Sequence, residues 1–191
     1  MRVISGTAKG RRLLSVPGGQ TRPITDRVKE ALFDIIGADV VGSTWWDVYA
    51  GTGAVGIEAL SRGASFARFT EMHGAALRTL RSNLTSTNLA DRADVRQANA
   101  NALLASRPDR QFDYVYLAPP QYKGIWSQAC SALDANARWL SADGWVVAQI
   151  HPKEYQALPL KRLEEFDSRR YGTTLLVFLE PRLPIGDDPP Q

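Results

Sequence analysis

Cysteine and histidine are nearly missing from this 191-residue chain, which has one cysteine, Cys130, and two histidines, His73 and His151. A single thiol excludes an internal disulfide, a cysteine-rich zinc site and an iron-sulfur cluster. Two histidines far apart in sequence argue against a histidine-based metal centre. Cys130 is expected to be an inert, buried helix residue. No stretch approaches the roughly 18 uncharged apolar residues that a membrane span requires, and Met1-Arg2-Val3-Ile4-Ser5-Gly6 lacks the apolar core of a secretory signal. The expected location is cytoplasmic, with no membrane partner and no metal.

What is present is an ordinary globular composition, 44% hydrophobic and 23% charged, enough for one substantial core but too short for two large domains. The net charge of +3 is unevenly placed. Residues 1 to 30 contain Arg2, Lys9, Arg11, Arg12, Arg22, Arg27 and Lys29 against only Asp26 and Glu30, so the remainder of the chain is slightly acidic. A basic segment on a near-neutral body is the footprint of phosphate-backbone binding; it also suits a merely solvated end.

Along the chain, Met1–Ser5 and Arg11–Val16 read as a hairpin or loose strand pair ended by Pro17-Gly18-Gly19. Val28, Leu32, Ile35 and Ile36 form the apolar stripe of a helix with Asp26 as a plausible N-cap and Gly37 at its end. Strands and helices then alternate: strands at 44–49, 66–71, 94–97, 112–117 and 145–150, helices at 54–61, 74–84 and 125–140. This alternation predicts an α/β fold with a parallel sheet covered by helices on both faces. The segments at 158–166 and 173–179 have no long helix between them, which suits an antiparallel finish to the sheet.

Between a predicted strand and a predicted helix, Asp47-Val48-Tyr49-Ala50-Gly51-Thr52-Gly53-Ala54-Val55-Gly56 carries the G-x-G-x-x-G spacing. Glycines there let the backbone approach a ligand and the neighbouring helix, and the helix start presents free N–H groups. Glu71 ends the second strand, where a carboxylate can accept hydrogen bonds from both hydroxyls of a ribose. Dinucleotides and S-adenosylmethionine share this geometry. Asp47 argues for the second, because its charge favours an ammonium and a sulfonium and opposes a pyrophosphate. A second constellation, Phe112 to Tyr122, runs a strand straight into Pro119-Pro120 and an aromatic. It suits a rigid loop that points carbonyl groups into a ligand crevice beside a stacking face, or simply a stiff connector.

These blocks, with Lys9-Gly10-Arg11-Arg12-Leu13, Arg22-Pro23-Ile24-Thr25-Asp26-Arg27-Val28-Lys29-Glu30-Ala31-Leu32-Phe33, the continuation Ile57-Glu58-Ala59-Leu60-Ser61-Arg62-Gly63-Ala64 and Gly172-Thr173-Thr174-Leu175, resemble the RsmD-type rRNA methyltransferases. That family methylates the exocyclic N2 of a guanine in 16S ribosomal RNA. The resemblance, over about residues 1 to 182, implies a Rossmann-like, seven-stranded class I methyltransferase sheet. It also implies S-adenosylmethionine as cofactor, and 16S rRNA or the small ribosomal subunit or its assembly intermediate as partner. Residues 1–37 would be a basic, RNA-facing extension, 38–182 the methyltransferase domain and 183–191 a flexible tail; size and local basicity fit a monomer.

By the same resemblance, Asp47, Ala50, Gly51, Thr52 and Gly53 would line the methionine end of the cofactor and Glu71 would hold its ribose. Met72, Asn99 and Ala100 would flank the adenine, and Thr25 would lie near the site mouth. Arg2, Lys9, Arg11, Arg12, Arg22 and Arg27 would face RNA. The departure is in the catalytic loop. The family reads Asp-Pro-Pro and then Tyr or Phe, whereas this chain reads Ala118-Pro119-Pro120-Gln121-Tyr122, without the acid and with the aromatic one place late. The expectation is that Pro119 C=O orients the target amino group, that Gln121 or Tyr122 takes part of the missing role beside Pro120, and that activity survives. The alternatives are a catalytically impaired cofactor- and RNA-binding homologue, or a methyltransferase with another acceptor.

Overall fold

Thr25 stands in extended backbone and its Oγ1 accepts the N–H of Val28 at 3.3 Å, so the first helix, α1 (Asp26–Ile36), is capped by Thr25 and not by Asp26 as expected. The hydroxyl satisfies one of the N–H groups left open at a helix start. Val28, Leu32, Phe33 and Ile36 are buried along one face. The computed structural model describes residues 1–17 and 24–182. Arg22 and the tail 183–191 lie outside the described residues.

Four further helices and seven strands follow: β1 (Thr44–Asp47), α2 (Ala54–Ser61), β2 (Phe66–Glu71), α3 (Gly74–Thr87), β3 (Ala93–Gln97), α4 (Ala100–Leu104), β4 (Phe112–Leu117), α5 (Ile125–Ala135), β5 (Leu140–Ile150), β6 (Leu163–Tyr171) and β7 (Thr174–Pro181). They form one sheet of order β3-β2-β1-β4-β5-β7-β6. The first five strands are parallel, and β7 runs antiparallel between β5 and β6. The late strands thus give the antiparallel finish that their short connection predicts. The order reverses between β1 and β4, which opens a crevice at the carboxyl ends of those strands.

Successive residues of β1 face opposite sides of the sheet. Trp45 stacks with Phe33 at 5.2 Å and Tyr114 at 4.7 Å on one side, while Trp46 packs on Trp139 at 4.6 Å and Phe112 at 5.4 Å on the other. Buried Arg68 lies over the rings of Phe112, Trp46 and Trp139 and pairs with Asp94 and Asp109. Cys130 is fully buried, and burial pushes its thiol up to about 12, as expected of an inert residue.

Two boundaries differ from expectation. The helix predicted to run to Leu140 stops at Ala135, because Asn136 leaves helical geometry and donates its amide to Leu104 O and Ser106 O at 3.0 and 2.7 Å. Leu140 then pairs with Phe112 in the sheet, so β5 begins five residues early. At the N-terminus the expected loose strand pair is present but short: Arg2 bridges Arg12, Val3 N–H donates to Arg11 O at 2.9 Å, Gly10 N–H to Val3 O at 2.9 Å and Leu13 N–H to Met1 O at 3.1 Å. The pair extends no further because the donors beyond Val3 go elsewhere: Ile4 and Ser5 N–H to the Glu58 carboxylate at 2.8 and 2.9 Å, and Thr7 and Ala8 N–H to Ser61. Gly6 sits so close to the end of α2 that a β-carbon there would overlap the Ser61 carbonyl. Val3, Ala8 and Leu13 share one core with α1, α2 and β1.

Candidate functional site

The loops at the carboxyl ends of β1 to β5 enclose a cleft of about 910 Å³. Its wall is built from Asp47 to Thr52 after β1, Glu71 to His73 after β2, Ala98 to Asn101 after β3 and Ala118 to Lys123 after β4, with Tyr116 and Gln149 contributed by β4 and β5. Segments distant in sequence converge there because every parallel strand ends on the same edge of the sheet.

Among the three glycines of the turn the work divides. Gly51 has φ of +53°, lines the cleft and has open space where a β-carbon would project. Gly53 and Gly56 serve packing: a β-carbon on the first would overlap Leu80 and on the second the Phe69 ring. Gly53 is not among the residues that line the cleft. The N–H of Gly51 donates to Glu71 Oε2 at 2.9 Å, while Met72 and His73 N–H donate to Oε1 at 2.8 and 2.7 Å. One carboxylate therefore ties the turn after β1 to the turn after β2. With roughly four acceptor positions on a carboxylate, three are used, so gripping a diol requires sharing or releasing one of these N–H groups.

Asp47 is buried at the cleft floor with no cation paired to it among the described residues. Burial raises its carboxyl to about 7; the Gly56 N–H, 3.3 Å from Oδ2, opposes the rise and the charge of Glu71 adds to it. Beside it, Tyr116 donates its hydroxyl to Gln149 Oε1 at 2.5 Å and Tyr49 donates to Asn101 Oδ1 at 2.6 Å. Burial pushes the Tyr116 hydroxyl well above its usual range, with Asp47 adding to the effect.

Ala50, Thr52, Met72, Asn99 and Ala100 all line this cleft, as do Pro119, Pro120, Gln121 and Tyr122. Asn99 also caps α4, its Oδ1 accepting from Ala102 N–H at 3.1 Å. Thr25 does not line the cleft; its hydroxyl serves α1, and the adjacent Ile24 occupies the wall. Sequence reasoning missed Tyr49, Asn101, Tyr116 and Gln149. The available signal was Gln149 itself, a lone amide in the apolar run Trp145 to Ile150.

Arg2, Lys9, Arg11, Arg12 and Arg27 are exposed, but Lys29 is not. It is fully buried against Glu58 at 3.1 Å and donates to Arg2 O at 2.6 Å, with Arg62 completing the cluster at 2.8 Å from Glu58. Lys29 thus leaves the basic N-terminal surface and belongs to the core. The turn that carries Lys9 rests on Ser61, at the end of α2 opposite Ala54 and Val55, which line the cleft. Eight helical residues separate the two ends by about 12 Å.

The strand order, the glycine turn and the two carboxylates define a class I methyltransferase that depends on S-adenosylmethionine. The chain belongs to the family described as Conserved hypothetical protein 95, whose model matches residues 1–180, the RsmD-type methyltransferases. It is 40% identical over 158 residues to the YlbH protein of Bacillus subtilis (strain 168), covering 82% of this chain and 85% of that one. It is 34% identical over 149 residues to ribosomal RNA small subunit methyltransferase D of Escherichia coli (strain K12), covering 78% and 74%. The solved structure of yhhF from Escherichia coli superposes with a TM-score of 0.83 at 28% identity, covering 96% of this chain and 98% of that one.

Proposed function

We propose that this chain transfers a methyl group from S-adenosylmethionine to the exocyclic N2 of a guanine in small-subunit rRNA. The observation that carries the cofactor half is Asp47, a buried carboxylate at a cleft floor that has no paired cation among the described residues. Such a group is stabilised by a positively charged ligand. The residues present fit that cofactor: Asp47 would hold its ammonium, Glu71 its ribose, and Met72, Asn99 and Ala100 would border its base. When bound, S-adenosylmethionine supplies an electrophilic methyl group on a sulfonium.

The acceptor half rests on the loop after β4. Pro119 is buried and fixes its backbone, so its carbonyl is a preorganised acceptor for an amino N–H. Tyr122, 65% exposed at the cleft mouth, offers a face for a base drawn out of its stack. Gln121 lies between them and supplies a polar side chain where Ala118 has none. The exposed cations of the N-terminal extension, Arg2, Lys9, Arg11, Arg12 and Arg27, contribute to RNA attraction.

Ala118 supports a second reading, a chain that binds cofactor and RNA with little turnover. Losing one preorganised partner costs on the order of 10² to 10³ in rate, which leaves measurable catalysis. The test is transfer of tritiated methyl to small subunits lacking this modification, followed by digestion and identification of the labelled nucleoside. Labelled N2-methylguanosine is expected, with a faster rate for Ala118→Asp. Cofactor binding without labelling by the natural chain, and labelling restored by Ala118→Asp, would establish the second reading.

A further inference from the structure

A second, shallower groove of about 440 Å³ adjoins the cleft, lined by His151, Pro152, Lys153, Arg170, Gly172 and Thr173. The two are contiguous through one pair of rings: Tyr122 lines the cleft, His151 lines the groove, and their centroids are 5.5 Å apart. Exposed Lys123 stands on the cleft side of the same junction.

Among the described residues the charge in this groove has one sign, and no carboxylate lines it. The nearest acid in sequence, Glu154, is occupied by the N–H groups of Tyr122 at 2.6 Å and His151 at 3.4 Å. On β6 the neighbouring Arg169 is held by Asp167 at 2.9 Å, but adjacent strand residues face opposite sides, and Arg170 has no acidic partner among the described residues. The Arg170 Nε donates to Gly172 O at 3.1 Å, its one partner among the described residues, which anchors the guanidinium on the β6–β7 turn. Lys153 and Lys123 likewise form no ion pair among the described residues. The basic N-terminal turn, by contrast, docks at the end of α2 remote from the cleft.

We infer that the groove between the turn after β5 and the β6–β7 turn is a phosphate subsite for the RNA strand, in which Lys153 and Arg170 hold a backbone phosphate next to the nucleotide that enters the cleft. The inference rests on the RNA-methyltransferase reading and adds a second contact surface to it. A guanidinium fixed by its Nε retains its outer N–H donors for phosphate oxygens, and an unpaired ammonium adds a point charge. A partner of this kind is a flexible polyanion that can bend over the Tyr122–His151 junction.

The test uses the full chain, a single-stranded fragment of small-subunit rRNA, and the charge-removing double variant Lys153→Gln/Arg170→Gln. Lys153→Glu/Arg170→Glu serves as a second variant, and calorimetry with S-adenosylhomocysteine checks folding. RNA affinity is expected to fall about tenfold, and the slope of log affinity against log salt to shrink by about 1.4 for two lost contacts. Cofactor-product binding should stay at the natural level. RNA binding by the natural chain with an unaltered slope in both variants overturns the groove and leaves the RNA reading standing. Failure of the natural chain to bind RNA overturns both. Inorganic phosphate at matched ionic strength should compete for the groove and narrow the difference between natural chain and variant; a difference that phosphate leaves untouched means that Lys153 and Arg170 hold no phosphate, and the inference fails.

Discussion

Glu154 Oε1 accepts the backbone N–H of Tyr122 at 2.6 Å, so a residue after β5 fixes the loop that follows β4. Tyr122 has φ of +61°, one of two non-glycine residues with positive φ among those described, and this conformation costs a residue with a β-carbon about 1 kcal/mol or more. The extra residue Gln121 delays the aromatic, and the left-handed backbone returns it to the cleft mouth. The turn after β5 that carries Glu154 is braced by His151 Nδ1, which accepts Lys153 N–H at 3.1 Å.

Glu154→Ala should free the loop and lower the methyl-transfer rate about tenfold, with S-adenosylhomocysteine affinity unchanged. Glu154→Gln, which keeps an acceptor oxygen, should recover most of it. Single-turnover rates beside calorimetry check this; equal loss in both variants would assign Glu154 a role in charge and not in loop placement.

In its proposed role, Asp47 should make cofactor affinity depend on pH. Its carboxyl titrates at about 7 in the free protein because burial penalises the charge. A cationic ligand requires the ionised form, so affinity for S-adenosylmethionine should weaken by up to about tenfold per unit below pH 7 and level off above it. Calorimetry from pH 5.5 to 8.5 gives the profile.

The same shift sets a stability trend of opposite sign. The folded chain holds this proton more tightly than the unfolded chain, whose aspartate titrates near 3.9, so stability of the free protein should decline from about pH 4 to pH 7. Asp47→Asn should abolish that decline and raise the melting temperature at pH 8 while weakening cofactor binding. Differential scanning fluorimetry at several pH values tests it.

The glycine turn should separate stability from binding. Gly56→Ala drives a methyl into the Phe69 ring and should cost about 1–3 kcal/mol in urea unfolding. Gly51→Ala meets no neighbour and pays only for its positive φ, about 1 kcal/mol, yet stands in the cleft wall. Weaker cofactor binding with modest destabilisation is expected there.

Lys29→Met should destabilise the fold by about 3 kcal/mol, because it leaves the Glu58 carboxylate buried with one cation fewer. RNA affinity of the folded variant should match the natural chain, whereas Arg12→Ala, at an exposed position, should lower it.

Periodicity carried most of the architecture, because the parallel strands are short, apolar and punctuated by glycine and proline. Boundaries shifted where side chains intervened: Asn136 ended α5 by reaching back to Leu104, and Glu58 and Ser61 kept the N-terminal pair short by taking the backbone donors beyond Val3. Neither partner is near in sequence. In the cleft, Asp47, Ala50, Gly51, Thr52 and Glu71 were legible from spacing, since one strand-turn-helix unit contains the turn and the next strand ends on Glu71; Gly53 was not, since its lack of a β-carbon serves packing against Leu80. Tyr116 with Gln149, and Tyr49 with Asn101, were not, since their meaning lies in pairings between separate strands and loops. Lys29 was misread for a related reason: a basic residue counts toward surface charge until a buried acid is found opposite it.

The seating of Gly6 against Ser61 makes the N-terminal turn a fixed arm, unable to swing on a hinge. Lys9 is therefore carried at a set distance from the reaction point, like a mark on a ruler. An oligonucleotide just long enough to fill the cleft would never touch that mark. In the proposed role of Lys9 as an RNA contact, an acceptor must span the distance from that turn to the cleft, so the length of the RNA, beyond the identity of the base, would enter into what is selected.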